Sequence, residues 1–255
     1  MLSKNKIKWI HSLEQKKFRK ETGCFLAEGN KLVADMLPYF ECEFLLSESS
    51  WLATQGDIRV KEHVMAGEGD IQRASLLKTP QNVLAVFKQP VHELNTDDLK
   101  TKLSIVLDGI QDPGNLGTII RLADWFGIED VICSPDTVDV YNPKTMQATM
   151  GALARVRTHY TELTPLLNHF HKINDFPIYG TFLEGENIYA KKLSVNGFIV
   201  MGNEGNGISP EIESLITQKI HIPNFPPERE TSESLNVAVA TAIVCAEFRR
   251  QTHPA

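Results

Sequence analysis

Cysteine is scarce in this sequence: four residues in 255, at Cys24, Cys42, Cys133 and Cys245. They form no Cys-x-x-Cys pair and no Cys/His cluster, which argues against a zinc site and against a disulfide framework. Long apolar runs are missing as well. The longest, residues 237–246, falls far short of the ~20 residues that cross a bilayer. The first twenty residues are charged with no apolar stretch behind them, unlike a secretory leader. Internal repeats and low-complexity tracts are absent. What is present, 42% hydrophobic and 23% charged residues, is ordinary globular composition. The expectation is a soluble cytoplasmic protein of one or two domains, bound to no membrane and no metal.

The net charge of −6 hides an asymmetry. Lys4, Lys6, Lys8, Lys16, Lys17, Arg19 and Lys20 stand against Glu14 alone, so residues 1–20 carry +6 and the rest carries −12. A basic block on an acidic chain suits a local anionic partner, nucleic acid or a membrane surface; it equally suits a solvated helix face.

Short apolar runs at 25–27, 44–46, 83–87, 104–107, 131–133, 177–179, 198–201 and 220–222 read as strands. Helical patterns lie between them, near 30–37, 47–53, 116–126, 143–154, 162–173, 210–217 and 235–250, with Asn30 and Ser47 as natural N-caps. Strands alternating with helices favour a mostly parallel sheet covered on both faces. Residues 88–102 are polar and lack periodicity, which places a linker near residue 95 between two α/β domains.

Three segments of the second half carry chemistry-bearing residues. Residues 108–121 leave a strand at Asp108, turn at Pro113-Gly114 and open a helix at Asn115, with Arg121 off its apolar face. Loops at the carboxyl ends of parallel strands are where α/β proteins hold ligands, and an Arg there can grip a phosphate; a capping Asn and a surface charge are the plain alternative. Residues 199–209 run from a strand into Gly202-x-Glu204-Gly-x-Gly207. That glycine order is reversed from the dinucleotide fingerprint and no Gly-Lys-Ser/Thr follows, so a dehydrogenase or a Walker loop is disfavoured. Residues 222–244 leave a strand at Ile222-Pro223, cross a Pro-rich loop and enter an almost wholly apolar helix at Ser234-Leu235-Asn236. Such a helix must be buried, leaving Ser234 and Asn236 as polar groups at its mouth, or Ser234 as a simple cap.

In order, Asn115-x-Gly117-x-x-x-Arg121, Gly202-x-Glu204-x-x-Gly207 and Ile222-Pro223 followed by Ser234-Leu235-Asn236 resemble the three motifs of the SpoU/TrmH family of RNA ribose 2′-O-methyltransferases, within the SPOUT superfamily. The resemblance covers about residues 104–250; residues 25–29, Phe-Leu-Ala-Glu-Gly, resemble more loosely the substrate-binding domain that precedes it in many members. It implies an α/β fold with a knotted parallel-sheet methyltransferase domain over 103–255, a smaller N-terminal RNA substrate-binding domain over 1–95, S-adenosyl-L-methionine as cofactor, and a homodimer. It also implies catalytic or RNA-facing roles for Asn115, Arg121, Glu204, Ser234 and Asn236, and cofactor contacts, largely through backbone, for Gly202, Ile222 and Leu235. Arg121 would orient the phosphate and hydroxyl; Glu204 would brace the glycine loop or pair with a cation. The expected substrate is 23S-type ribosomal RNA, with transfer RNA, or a catalytically silent RNA-binding role, as alternatives. One departure stands out: the loop over 224–233 is longer than the family's and lacks glycine, so it is expected to line the mouth of the site and to be mobile without RNA.

Overall fold

The computed structural model describes residues 2–226 and 234–252. Two compact units emerge, Met1–Val91 with Asp139–Ala154, and His92–Val138 with Arg155–Ala255.

In the first unit the chain runs α1 (Lys4–Ser12), α2 (Lys16–Thr22), β1 (Cys24–Glu28), α3 (Asn30–Met36), β2 (Cys42–Ser47), α4 (Ser49–Leu52), β3 (His63–Met65), α5 (Asp70–Ala74) and β4 (Val83–Lys88). The strands form one sheet in the order β1-β4-β2-β3, antiparallel except for the β2/β3 pair. The expected cap at Ser47 is instead the last residue of β2, and Glu48 precedes the helix. Leu2, Ile10 and Leu13 sit in the core with Leu26, Phe44 and Val86, so the basic block rides on two helices whose other side is buried. Lys4, Lys8, Lys16, Lys17 and Lys20 are exposed. Arg19 is not: at 2% exposure it pairs with Asp139 at 2.6 Å and donates to the Leu13 and Glu14 carbonyls. Tyr141 stacks on Phe25 at 4.7 Å between centroids, and the Gln147 amide donates to the Glu28 carbonyl. The excursion 139–154 is therefore core material of this unit.

The second unit carries α6 (Thr96–Leu99), β5 (Leu103–Asp108), α7 (Pro113–Trp125) and β6 (Asp130–Cys133). The chain then passes through the first unit, where α8 (Pro143–Thr149) lies, and returns at β7 (Arg157–Tyr160). It continues through α9 (Leu163–His171), β8 (Ile178–Asn187), β9 (Gly197–Gly202), α10 (Pro210–Glu213), β10 (Gln218–His221) and α11 (Val237–Thr252). Six parallel strands stand in the order β10-β8-β9-β5-β6-β7. Every residue of β9 is buried, as are the first five of β5, the signature of central strands covered on both faces. Val106, Ile132, Ile178, Phe198 and Val200 pack with Leu166, Leu167 and Phe170 of α9. The chain leaves β5 towards β6 and β7 but later returns to β9 on β5's other side. The gap between β5 and β9 is thus a topological switch point, where the loops at the strand ends diverge and leave a crevice for a ligand.

Two expected elements shift. Residues 177–179 open a ten-residue strand, β8, rather than a short one. The 143–154 pattern is helical only to Thr149 and ends in a 3-10 turn.

Candidate active site

β5 and β9 end level with each other, Asp108 opposite Gly202, so the loops that follow start side by side. The chain then sews them together. Asp108 Oδ2 accepts from the Ser209 amide at 2.7 Å, and the Asn203 side-chain amide donates to the Gly109 carbonyl at 2.6 Å. Asn203 Oδ1 meanwhile accepts from the amides of Gly205 and Asn206, shaping the glycine loop from inside. Gly202 is required by close approach: a Cβ there would lie 2.2 Å from Gly207 C and Ile208 N. Gly207 is required by its φ of +70°.

α7 begins two residues earlier than the sequence suggests. Asp112 is its N-cap, accepting from the Asn115 amide at 2.8 Å, with Pro113 in the first turn. Asn115 is therefore inside the helix, its side chain free for other work. Its Nδ2 donates to Glu204 Oε1 at 3.0 Å, and its Oδ1 accepts from Asn236 Nδ2 at 3.0 Å. Asn236, rather than Ser234, caps α11: its Oδ1 accepts from the Ala238 and Val239 amides at 2.9 and 3.2 Å. One continuous chain, Glu204–Asn115–Asn236, thus joins residues from all three segments.

Among the described residues, Glu204 meets no cation. Its carboxylate takes the Gln111 and Asp112 amides at 3.1 Å each, besides Asn115. Partial burial pushes its pKa up, but the Asn115 amide and the backbone N–H groups outweigh it and hold the group below the ordinary glutamate value. Through these three N–H donors the Glu204 carboxylate ties the loop before α7 to the glycine loop.

The other candidates are placed differently. Arg121 lies six residues beyond Asn115 on α7, ~9 Å along the axis and about 120° around it. It is exposed and has no hydrogen bond or ion pair among the described residues. Thr118, Arg121 and Trp125, at i, i+3 and i+7, form one exposed stripe, Trp125 at 83%. Ser234 is exposed and without a hydrogen bond to any described residue; Leu235 is 49% exposed and Ile222 half-buried. The backbone N–H groups of Ile222 and Leu235 donate to no described residue. Open amides beside apolar side chains are the kind of group that takes an adenine ring and its nitrogens, so this donor set fits S-adenosyl-L-methionine. Residues 227–233, and with them the expectation about the long loop, lie outside the described residues. Among the described residues, no group of three His, Cys, Asp or Glu could hold a metal ion, and no helix is long and apolar enough to cross a membrane.

Asp108, Gln111 and Asn203 escaped the sequence reading. Two of them had a signal, Asp108 as a carboxylate at the last position of a buried strand and Asn203 as an amide directly after Gly202; Gln111 had none.

Residues 102–246 match the SpoU rRNA Methylase family and residues 4–85 an MRM3-like substrate binding domain. A curated relative, the Bacillus subtilis 23S rRNA (guanosine(2553)-2′-O)-methyltransferase RlmP, is 30% identical over 96% of each chain. A solved TrmH-family structure from Porphyromonas gingivalis is 41% identical, with a TM-score of 0.90 over 99% of this chain and 100% of that one. An AdoMet-bound rRNA methyltransferase from Sinorhizobium meliloti is 29% identical, with a TM-score of 0.82 over 99% and 97%. The convergence of the three motif segments at the β5/β9 crevice, and a match over most of the second unit, lead to one assignment: the chain belongs to the SpoU rRNA methylase family.

Proposed function

We propose that the protein transfers the methyl group of S-adenosyl-L-methionine to a ribose 2′-hydroxyl of ribosomal RNA, in the cytoplasm. The observation that carries this is the Glu204–Asn115–Asn236 chain at the carboxyl ends of the two central strands. The relatives' names, an rRNA 2′-O-methyltransferase and an AdoMet-bound rRNA methyltransferase, support the substrate and the cofactor. When bound, the cofactor supplies a methyl group on a sulfonium, open to in-line displacement.

The remaining demands are positioning and removal of one weakly acidic proton. Asn115, fixed at both ends of its amide, sets the distance between the glycine loop and the start of α11. Glu204 is a positioning residue that locks this frame. Gly202, Ile222 and Leu235 offer backbone and apolar surface to the cofactor; Ser234 and Asn236 face the ribose. Arg121 grips the phosphate next to the target sugar and, by its charge, lowers the cost of ionising the hydroxyl. Because Arg121 is exposed and about 120° around α7 from Asn115, it serves a site completed by a second copy. The exposed stripe with Trp125 supports a homodimer, and family membership supports a knotted path for the chain after β10. Residues 1–95 are the RNA-holding domain and 103–255 the methyl-transferring one.

The test is transfer of a radiolabelled methyl group from S-adenosyl-L-methionine to ribosomal RNA isolated from cells lacking the gene, followed by mapping of the 2′-O-methyl position. Label confined to transfer RNA would move the substrate assignment. Heat of binding with NADH and none with S-adenosylhomocysteine would remove the methyltransferase reading.

A further inference from the structure

The first unit contains a cleft of about 380 Å³, between the start of α3, the short helix α4 and the residues before β4. This volume lies within the range of small-ligand sites. Its lining is unusual in chemistry: three primary amides, Asn30, Gln55 and Asn82, with Trp51, Lys31 and no carboxylate. None of the three amides is exhausted, and one of them, Asn30, is held in place. Asn30 is clamped by three bonds: its N–H donates to Gln81 Oε1 at 2.6 Å, its carbonyl accepts from Trp51 Nε1 at 3.2 Å, and its Oδ1 accepts from the Asn82 amide at 3.2 Å. Its Nδ2 remains unspent. Gln55 uses its Nε2 on Thr54 Oγ1, leaving its carbonyl oxygen open. The half-buried Asn82 side chain makes no hydrogen bond to any described residue. Trp51, buried at 4% exposure, backs this lining and anchors the Asn30 carbonyl.

Open donors and acceptors on these three amides match the edge of a nucleobase: an Asn or Gln amide pairs two-for-two with a base edge. Sequence-specific RNA recognition works on bases turned out of the stack in loops and bulges. Lys31, ion-paired with Asp35 one turn along the same helix, adds an ammonium that an adjoining phosphate would have to share with that carboxylate. We propose that this cleft receives one unstacked nucleotide of the substrate RNA, distant in sequence from the three motif segments, and that Asn82 with Asn30 and Gln55 reads its base. This rests on the reading of the protein as an RNA methyltransferase, and it assigns substrate discrimination to the first unit.

The test uses the full chain and two kinds of measurement. Asn82→Leu keeps the side-chain size and removes the amide from a group that bonds nothing in the fold. It should raise KM for ribosomal RNA by about fivefold or more, the loss of one paired base contact, with kcat within twofold. Affinity for S-adenosylhomocysteine, melting temperature and the slope of log K against log salt should stay unchanged, since no phosphate contact is lost. Gln55→Ala should act in the same direction. Separately, AMP, GMP, CMP and UMP are titrated while tryptophan emission is followed: one should quench saturably in the wild type and not in Asn82→Leu. Unchanged KM in both variants overturns the proposal, as does the absence of saturable quenching by every nucleotide, and as does a KM rise accompanied by a fall in melting temperature in both variants. A wild-type chain that methylates no RNA but still binds one nucleotide in this cleft would sink the methyltransferase reading alone; methylation unaffected by either variant would sink the cleft alone.

Discussion

Replacing Glu204 by Gln isolates the brace between the two central loops. The carboxylate accepts three N–H groups, from Gln111, Asp112 and Asn115. A hydrogen bond to a charged group contributes ~1.5–3 kcal/mol when shielded. Glu204 is exposed, so water and salt screen each bond and the lower end or less applies. Glutamine keeps one acceptor oxygen and turns an NH2 towards a donor, so the net loss is about 1–2 kcal/mol, or about 3–6 °C in melting temperature. The pH dependence identifies the cause. The folded-state pKa is depressed, so the carboxylate stabilises the native state fully above the unfolded value of ~4.3 and loses that advantage as pH falls through the folded value. Thermal melts of the wild type and Glu204→Gln at pH 7, 5, 4 and 3.5 should show a constant gap down to about pH 5 and a closing one below pH 4. Methyl transfer should fall at pH 7 even at temperatures where the variant is fully folded, because Asn115 loses its anchor. A gap that persists undiminished at pH 3.5, or no gap at pH 7, would refute the brace.

Arg121→Ala should leave the melting temperature nearly unchanged, since the side chain is exposed and unpartnered among the described residues, yet reduce methyl transfer by about a hundredfold or more if it holds the reacting phosphate; retained activity removes it from the site. Asp130→Asn breaks a buried pair in which burial raises the pKa but His159 and Arg157 outweigh it, holding the carboxyl well below its usual range. With Arg157 partly solvated, the cost should be about 2–3 kcal/mol by denaturant melts at pH 7, fading only below about pH 4; an unchanged midpoint contradicts it. Changing Lys4, Lys8, Lys16 and Lys20 together to Gln should flatten the salt dependence of RNA binding by about 2–3 in log–log slope without altering stability. Deleting residues 1–20 would confound that experiment, because Ile10, Leu13 and Arg19 are core residues.

The central strands were legible because a sheet covered on both sides needs uninterrupted apolar residues, and 105–107 and 198–201 have them. β7 was not: Arg157-Thr-His-Tyr reads as polar, and it is a strand because Arg157 and His159 are spent on Asp130 of the neighbouring β6. The motif residues Asn115, Glu204 and Asn236 could be named from the sequence, but their mutual bonding could not. In Asp112-Pro-Gly-Asn115 either end could cap a helix, and only the fold shows that Asp112 does so and frees Asn115. Ser234 and Asn236 posed the same ambiguity and resolved towards Asn236. Counting charges also misread Arg19, since a tally cannot distinguish a solvated guanidinium from one sealed against Asp139.

The excursion of 139–154 makes the two units joined by three peptide crossings instead of one. Cleavage in the polar stretch near residue 95 would leave both pieces tethered, and neither could be produced as an uninterrupted polypeptide without Tyr141 and Gln147 being stripped from Phe25 and Glu28. Inheritance follows from the same fact: a crossover between relatives at the apparent boundary would set the 139–154 excursion of one parent against the core of the other, so Tyr141 and Gln147 would have to suit a foreign Phe25 and Glu28.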